Sequence, residues 1–141
     1  GIVAQAMTIT PKTWDADIAK LSANFTPYAL QEYKSYIEKT NLYASLSARN
    51  MRLQTISSTD GTITKEGAIS GTYHWLVDVP VMASFYTADT EEIDKKADIQ
   101  SQNMVIAVQV GRVPQKNNGD IGLVIERWIT PSPASTTNPS R

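Results

Sequence analysis

Cysteine is absent from the 141 residues, which excludes disulfides, zinc–thiolate sites and cysteine nucleophiles and suits any compartment, an oxidising periplasm included. Histidine occurs once, as His74, so a Ser-His-Asp triad has a single base to draw on. No Gly-x-Ser-x-Gly, no Gly-x-Gly-x-x-Gly and no phosphate loop occurs. Charge of one sign is lacking too: 13 Lys and Arg stand against 14 Asp and Glu, and no stretch concentrates the cations. Nucleic-acid binders carry a basic stripe, so direct contact with DNA or RNA is not expected. No apolar run approaches the roughly 20 residues of a membrane helix, and no signal peptide is visible. The chain starts at Gly1 rather than Met, however, and runs at once into Ile2-Val3-Ala4-Gln5-Ala6-Met7. It reads as a piece from which an upstream region, including any membrane anchor, has been removed.

What is present is a long alternation. From Tyr73 to Phe85 every odd residue is apolar: Tyr73, Trp75, Val77, Val79, Val81, Ala83 and Phe85. Period 2 over that length means a strand with one apolar face. Straight, it would span roughly 40 Å, too long to stay flat on a small domain, so it should curve. Pro80, which cannot donate to a ladder, marks an edge position or a bulge near its middle.

Ahead of this strand the period is helical. Thr10-Pro11 is a helix entry, and Trp14, Ile18, Leu21 and Phe25 then form one stripe, with Asp15 and Asp17 in the first turn where the macrodipole favours them. Thr26-Pro27 repeats the device and opens a helix to about Lys39, with Leu30, Tyr33 and Ile37 inward, Tyr36 beside them, and Gln31, Glu32, Lys34 and Glu38 on the wet side. Leu42, Tyr43 and Leu46 predict further turns before Arg49-Asn50.

After residue 50 alternation takes over. Met51, Leu53 and Thr55 make a strand, Ser57 to Gly61 a turn, and Ile63 to Ser70 a more polar strand ahead of the long one. Thr87 to Gln102 reads as a charged, solvated connection with room for a helical turn. Met104 to Val110 is apolar on both faces and suits a central strand. Asn117-Asn118-Gly119-Asp120 is a hairpin signal. It leads into a last strand with Ile121, Leu123, Ile125, Arg127 and Ile129 on one face and Trp128 on the other. Helices followed by antiparallel strands is an α+β pattern in one domain of common size.

The catalytic inventory is poor. His74 and Asp78 share a strand face but lie about 13 Å apart along it, too far for an acid–base pair. Asp15 and Asp17 are not one helical turn apart, so they do not converge on a metal. Tyr28, Tyr33, Tyr36 and Tyr43 are mostly core, with one or two left outside as interface anchors. A binding or assembly role is favoured over chemistry.

The segment Leu21-Ser22-Ala23-Asn24-Phe25-Thr26-Pro27, followed by Tyr33 and Asn41-Leu42, resembles the signature of the DotI/IcmL proteins of type IVB secretion systems and of the related TraM proteins of I-type conjugative plasmids. Gly71-x-Tyr73-x-Trp75-x-Val77-x-Val79-Pro80 and Val110-x-Arg112-Val113-Pro114 match the same family, and the similarity covers nearly all of residues 10–130. The resemblance implies a periplasmic domain of a single-pass inner-membrane protein. It implies a strongly curved, antiparallel four-stranded sheet wrapped around N-terminal helices in the nuclear-transport-factor-like manner, similar to VirB-type assembly domains. The role implied is structural and non-enzymatic, scaffolding the transfer of DNA or protein. No catalytic, cofactor-binding or metal-binding residue is carried over. The Asn-Pro-x-Gly loop of the VirB-type relatives is absent, and Asn117-Asn118-Gly119 matches it poorly, so their dimer interface is not transferred.

On this reading residues 1–9 are the end of a membrane-proximal helix, 10–130 the periplasmic domain and 131–141 a disordered tail. Partners are other inner-membrane components and, in the full-length membrane protein, further copies of the chain. Ile2, Val3, Met7, Tyr36 and Tyr43 are the candidate contacts. The alternative is a cone-shaped domain with an apolar pocket that binds or transforms a small molecule. That alternative would need a carboxylate, Asp78 or Glu126, inside the pocket.

Overall fold

The computed structural model describes residues 1–59, 61–88, 100–114 and 121–133. The helical part comprises α1 (Ile2–Ala6), a 3-10 turn (Pro11–Thr13), α2 (Trp14–Leu21), a second 3-10 turn (Ser22–Asn24), α3 (Pro27–Lys39) and α4 (Leu42–Arg49). The strands are β1 (Met51–Ser57), β2 (Thr62–Ile69), β3 (Thr72–Thr87), β4 (Gln100–Pro114) and β5 (Ile121–Pro133), all antiparallel.

The sheet has five strands where the resemblance implied four, and it is only four strands wide because β1 and β2 share one edge of β3. β1 pairs with β3 from Val81 to Thr87 and β2 pairs with it from Thr72 to Asp78. Pro80 sits at the handover between them, where its missing N–H leaves no ladder bond unmade, while its carbonyl accepts from Ser58 N–H at 3.1 Å. The expected edge position is thus a gap between two partners.

The helices cover the concave face of the sheet. Tyr33 is the centre of that core: its ring meets Trp128 edge-on at 5.1 Å, Phe25 at 5.8 Å and Trp14 at 6.4 Å. Its hydroxyl donates to Ala6 O at 2.6 Å, so the buried polar tip is satisfied. Burial, with Asp17 nearby, pushes this phenol well above its ordinary range.

Residues 1–9 differ from expectation. They form a short helix and an edge segment built into this domain: Val3, Ala6, Met7 and Ile9 are all core. Ile9 and Leu53 exchange both backbone hydrogen bonds at 2.8 Å, adding one rung outside β1. Thr55 Oγ1 donates to Met7 O at 2.7 Å, and Thr8 Oγ1 accepts from Thr55 N–H at 3.2 Å. An apolar run next to an unpaired strand edge finds its burial there.

The opposite edge, β5, is closed by the segment that carries the family signature. Thr26 N–H donates to Ile125 O at 2.9 Å, and Phe25 bridges Ile125 in parallel. The Thr26 hydroxyl also accepts from Ala29 N–H at 3.1 Å and so caps α3, with Pro27 at its first position.

β5 does not keep one period. Gln109 pairs with Arg127 but Val110 pairs with Ile125, so Glu126 is the extra residue of a β-bulge. The bulge puts Ile125 and Trp128 into the same core and leaves Ile129 exposed, which corrects the expected split of odd and even positions. β5 also runs on: Ser132 and Pro133 pair with Val105 and Met104, so residues 131–133 belong to the strand rather than to a tail. β4 likewise begins at Gln100, earlier than the expected Met104. The expected connection over 89–99, the hairpin turn at 117–120 and the tail from 134 lie outside the described residues.

Candidate functional site

Two polar constellations and one apolar cavity stand out. The first lies on the convex face of the sheet. His74 of β3 points its Nδ1 at Glu126 Oε1, 2.5 Å away, and Gln109 Nε2 donates to the same oxygen at 2.9 Å. β3 and β5 are not neighbours, so the pair reaches across β4. It does so over Gly111, where an added Cβ would overlap the Glu126 carboxylate. The bulge aims Glu126 at this spot and the glycine leaves room for it. Spacing within the strand sets His74 only against Asp78. The available signal was Gly111, a glycine interrupting an apolar central strand.

The second constellation is at the outer edge of β5. The Glu32 carboxylate takes Arg127 Nε at 3.0 Å and Nη2 at 2.8 Å, and also accepts from Trp128 N–H at 3.0 Å. Arg127, and after it the Trp128 amide, hold the Glu32 carboxyl below its ordinary value against the opposing effect of burial. Glu32, placed on the wet side by its helical phase, instead satisfies an edge N–H.

The cavity lies on the concave face, where helix cover stops. It measures about 630 Å³ and is floored by Val77, Val79, Val108, Val110 and Ile125, with Trp75 at one end. Ile63 and Leu123, each more than half exposed, stand at its mouth. The apolar face of β3 is therefore buried by protein only in its second half, at Val81 and Ala83, and lines this cavity in its first. Neither Asp78 nor Glu126 lines it, and among the described residues its one charged side chain is Arg112. The His74–Glu126 pair is on the other side of the sheet, so it has no reach into the cavity. Among the described residues no cluster of three or more His, Cys, Asp or Glu is placed to hold a metal ion.

The residues expected to contact partners are divided. Met7 is 1% exposed and Val3 is also buried, so both pack inside their own chain and the expectation is corrected for them. Ile2 is half-buried and lines the cavity. Tyr43 is half-buried against Trp14, its ring 5.3 Å away. Tyr36 is half-buried on α3, where burial raises its phenol. The outward tyrosine is Tyr28, 61% exposed, with the Arg127 guanidinium 5.3 Å from its ring.

Several solved structures share the fold, among them the following three. The periplasmic domain of DotI aligns with a TM-score of 0.76 at 18% identity, covering 94% of this chain and 88% of that one. A periplasmic fragment of TraM aligns at 0.73 and 19% identity, covering 94% and 90%. CagV, a VirB8 homolog of the type IV secretion system of Helicobacter pylori, aligns at 0.57 and 10% identity, covering 94% and 92%. Sequence comparison with curated proteins finds no match. Among the described residues no helix is long and apolar enough to cross a membrane. The model of the DotI/IcmL family, an inner-membrane complex component of the type IVb secretion system, matches residues 2–132. The α+β domain with its curled antiparallel sheet and N-terminal helices belongs to that family.

Proposed function

We propose that this chain is a periplasmic, non-enzymatic scaffold domain of an inner-membrane complex that moves DNA or protein across the envelope. The observation that carries this reading is the family match over residues 2–132. The chemistry of the polar groups supports it. His74 and Gln109 both bind Glu126 across three strands, and Glu32 and Arg127 close a sheet edge. These are groups that hold a shape rather than converge on a substrate. In the assembled machine the domain is tethered to the membrane by a segment outside this sequence and meets further copies of itself and other inner-membrane components. Ile2, Tyr36 and Tyr43 are the contact candidates that keep exposed surface, with Tyr28 beside them on α3.

The enzymatic alternative needs Asp78 or Glu126 inside the cavity, and neither lines it. The test is complementation of a transfer-deficient deletion strain. Deletion should abolish transfer, and His74→Gln, Asp78→Asn and Glu126→Gln should restore it in proportion to the amount of folded protein. A purified domain that turned over a substrate, and lost that turnover on His74→Gln without loss of fold, would overturn the scaffold reading.

A further inference from the structure

We infer that the concave-face cavity is a binding site for a fatty carboxylate, with the acyl chain on the valine floor and the carboxylate at Arg112. This goes beyond the scaffold role and does not depend on it. The cavity, at about 630 Å³, falls inside the roughly 300–1,000 Å³ range of small-molecule sites. Its composition is one-sided. Val77 of β3 pairs with Val108 of β4 and Trp75 pairs with Val110, with β5 alongside, and among the described residues no acidic side chain lines the cavity.

The cation is placed by register. On β4, Val108, Val110 and Arg112 follow one another at period 2 and so project on one face. The Arg112 backbone is therefore about 13 Å along the strand from that of Val108. The guanidinium lies 5.2 Å from the centre of the Trp75 ring, which fixes one of its faces and leaves its hydrogen-bonding edge for a ligand. Among the described residues no carboxylate pairs with it. An apolar trough closed at one end by a stacked, unpaired arginine is complementary to a chain with an anionic head. A neutral apolar ligand would leave the arginine unused, and a cation would meet repulsion.

The experiment is calorimetric titration of the 141-residue domain with dodecanoate below its micelle concentration, with decanoate and dodecyltrimethylammonium in parallel. Dodecanoate should bind saturably with a stoichiometry of one. Each methylene removed should weaken binding about four-fold, so decanoate should bind about fifteen-fold more weakly. Arg112→Gln, a change at an exposed rim position, should weaken dodecanoate about ten-fold. The methyl resonances of Val77, Val79 and Val108 should shift on titration, and Val79→Phe should abolish binding while circular dichroism confirms its fold. No saturable binding at millimolar dodecanoate would overturn the proposal. So would equal affinity for dodecyltrimethylammonium, or an Arg112→Gln domain that binds as well as the wild type. Binding to phosphatidylglycerol vesicles that exceeds binding to the free acid would assign the surface to a membrane instead and would equally overturn it.

Discussion

His74 and Glu126 stand on strands that never touch, and they meet at 2.5 Å only because Gly111, on the strand between them, has no side chain. The contact ties β3, β4 and β5 together on the face that the helices leave bare. Gly111→Ala should displace the Glu126 carboxylate from His74 and Gln109 and lower stability by on the order of 1 kcal/mol. In a Glu126→Ala background the same glycine substitution should cost nothing, since the group it collides with is gone. Urea unfolding of the four proteins of that cycle measures the coupling directly. Additive losses would show that the glycine is required by the backbone and not by the pair.

Glu32 gives a pH signature. Its carboxyl is held below the ordinary range by Arg127 and Trp128, so the folded state binds a proton there less readily than the unfolded chain. Such a group stabilises the fold above the ordinary carboxylate range, and the contribution is lost as pH falls through the depressed value. Glu32→Ala should cost about 1–2 kcal/mol at pH 7, a modest figure because the Arg127 side chain is 45% exposed. Glu32→Gln should lose less, since its amide oxygen still accepts from Trp128 N–H. Unfolding curves at neutral pH and near pH 3 should show the gap between wild type and Glu32→Ala narrowing in acid.

Thr26 serves two masters at one backbone position: it caps α3 and pairs with the edge of β5. The cap and a long bond, 3.4 Å, from the Thr26 hydroxyl to Glu126 O depend on the side chain, whereas the bond to Ile125 O does not. Thr26→Ala should therefore lose about 1 kcal/mol, as an ordinary cap does, and Thr26→Ser should be close to neutral. Thr26→Pro should be far worse, because it removes the N–H that bonds Ile125 O. Thermal melts of the three variants separate the two roles.

These edges explain what was legible in the sequence. Periodicity found α2 and α3, the entry at Thr26-Pro27, the length and curvature of β3 and the central place of β4, because each is a local pattern. It missed what depends on two distant segments meeting. The run Ile2 to Ile9 reads as a helix leaving the domain, since nothing local reveals the open edge of β1 that it covers. The bulge at Glu126 resets the phase of β5, which alternation alone cannot detect. The His74–Glu126 pair joins residues on either side of β4 and becomes visible only once register is known. Helical phase turns Trp14 of α2 and Tyr33 of α3 toward the core, but unbroken parity puts Trp128 on the face opposite Ile125, and only the bulge brings both inside.

The first nine residues now carry a stability prediction. Met7→Ala should cost about 2–5 kcal/mol, as truncation of a fully buried side chain does. Removal of residues 1–9 should do more, because it also strips the rung on Leu53 and the acceptor for the Tyr33 hydroxyl. Circular dichroism and proteolysis of that deletion should show loss of cooperative folding. A deletion that melts like the intact domain would mean these residues are an appendage after all.

Assembly follows from the same placement. With Val3 and Met7 inside the core, a partner contact through the N-terminal segment is reduced to Ile2 and the outer face of α1. The outward aromatic surface on α3 is small, Tyr28 and part of Tyr36, and Arg127 already covers one face of the Tyr28 ring. Net charge is −1, so no strong field drives copies together or apart. Contacts of this size hold when a membrane anchor raises the effective concentration to about millimolar, and they dissociate on dilution. The isolated domain should therefore sediment as a monomer at low micromolar concentration. Fusing it to a trimeric coiled coil, which supplies the tether, should make the α3 face protect against hydrogen exchange while Tyr28→Ala with Tyr36→Ala removes that protection. A dimer that persists at low micromolar concentration without the fusion would place a strong interface on the globular surface and reverse the argument.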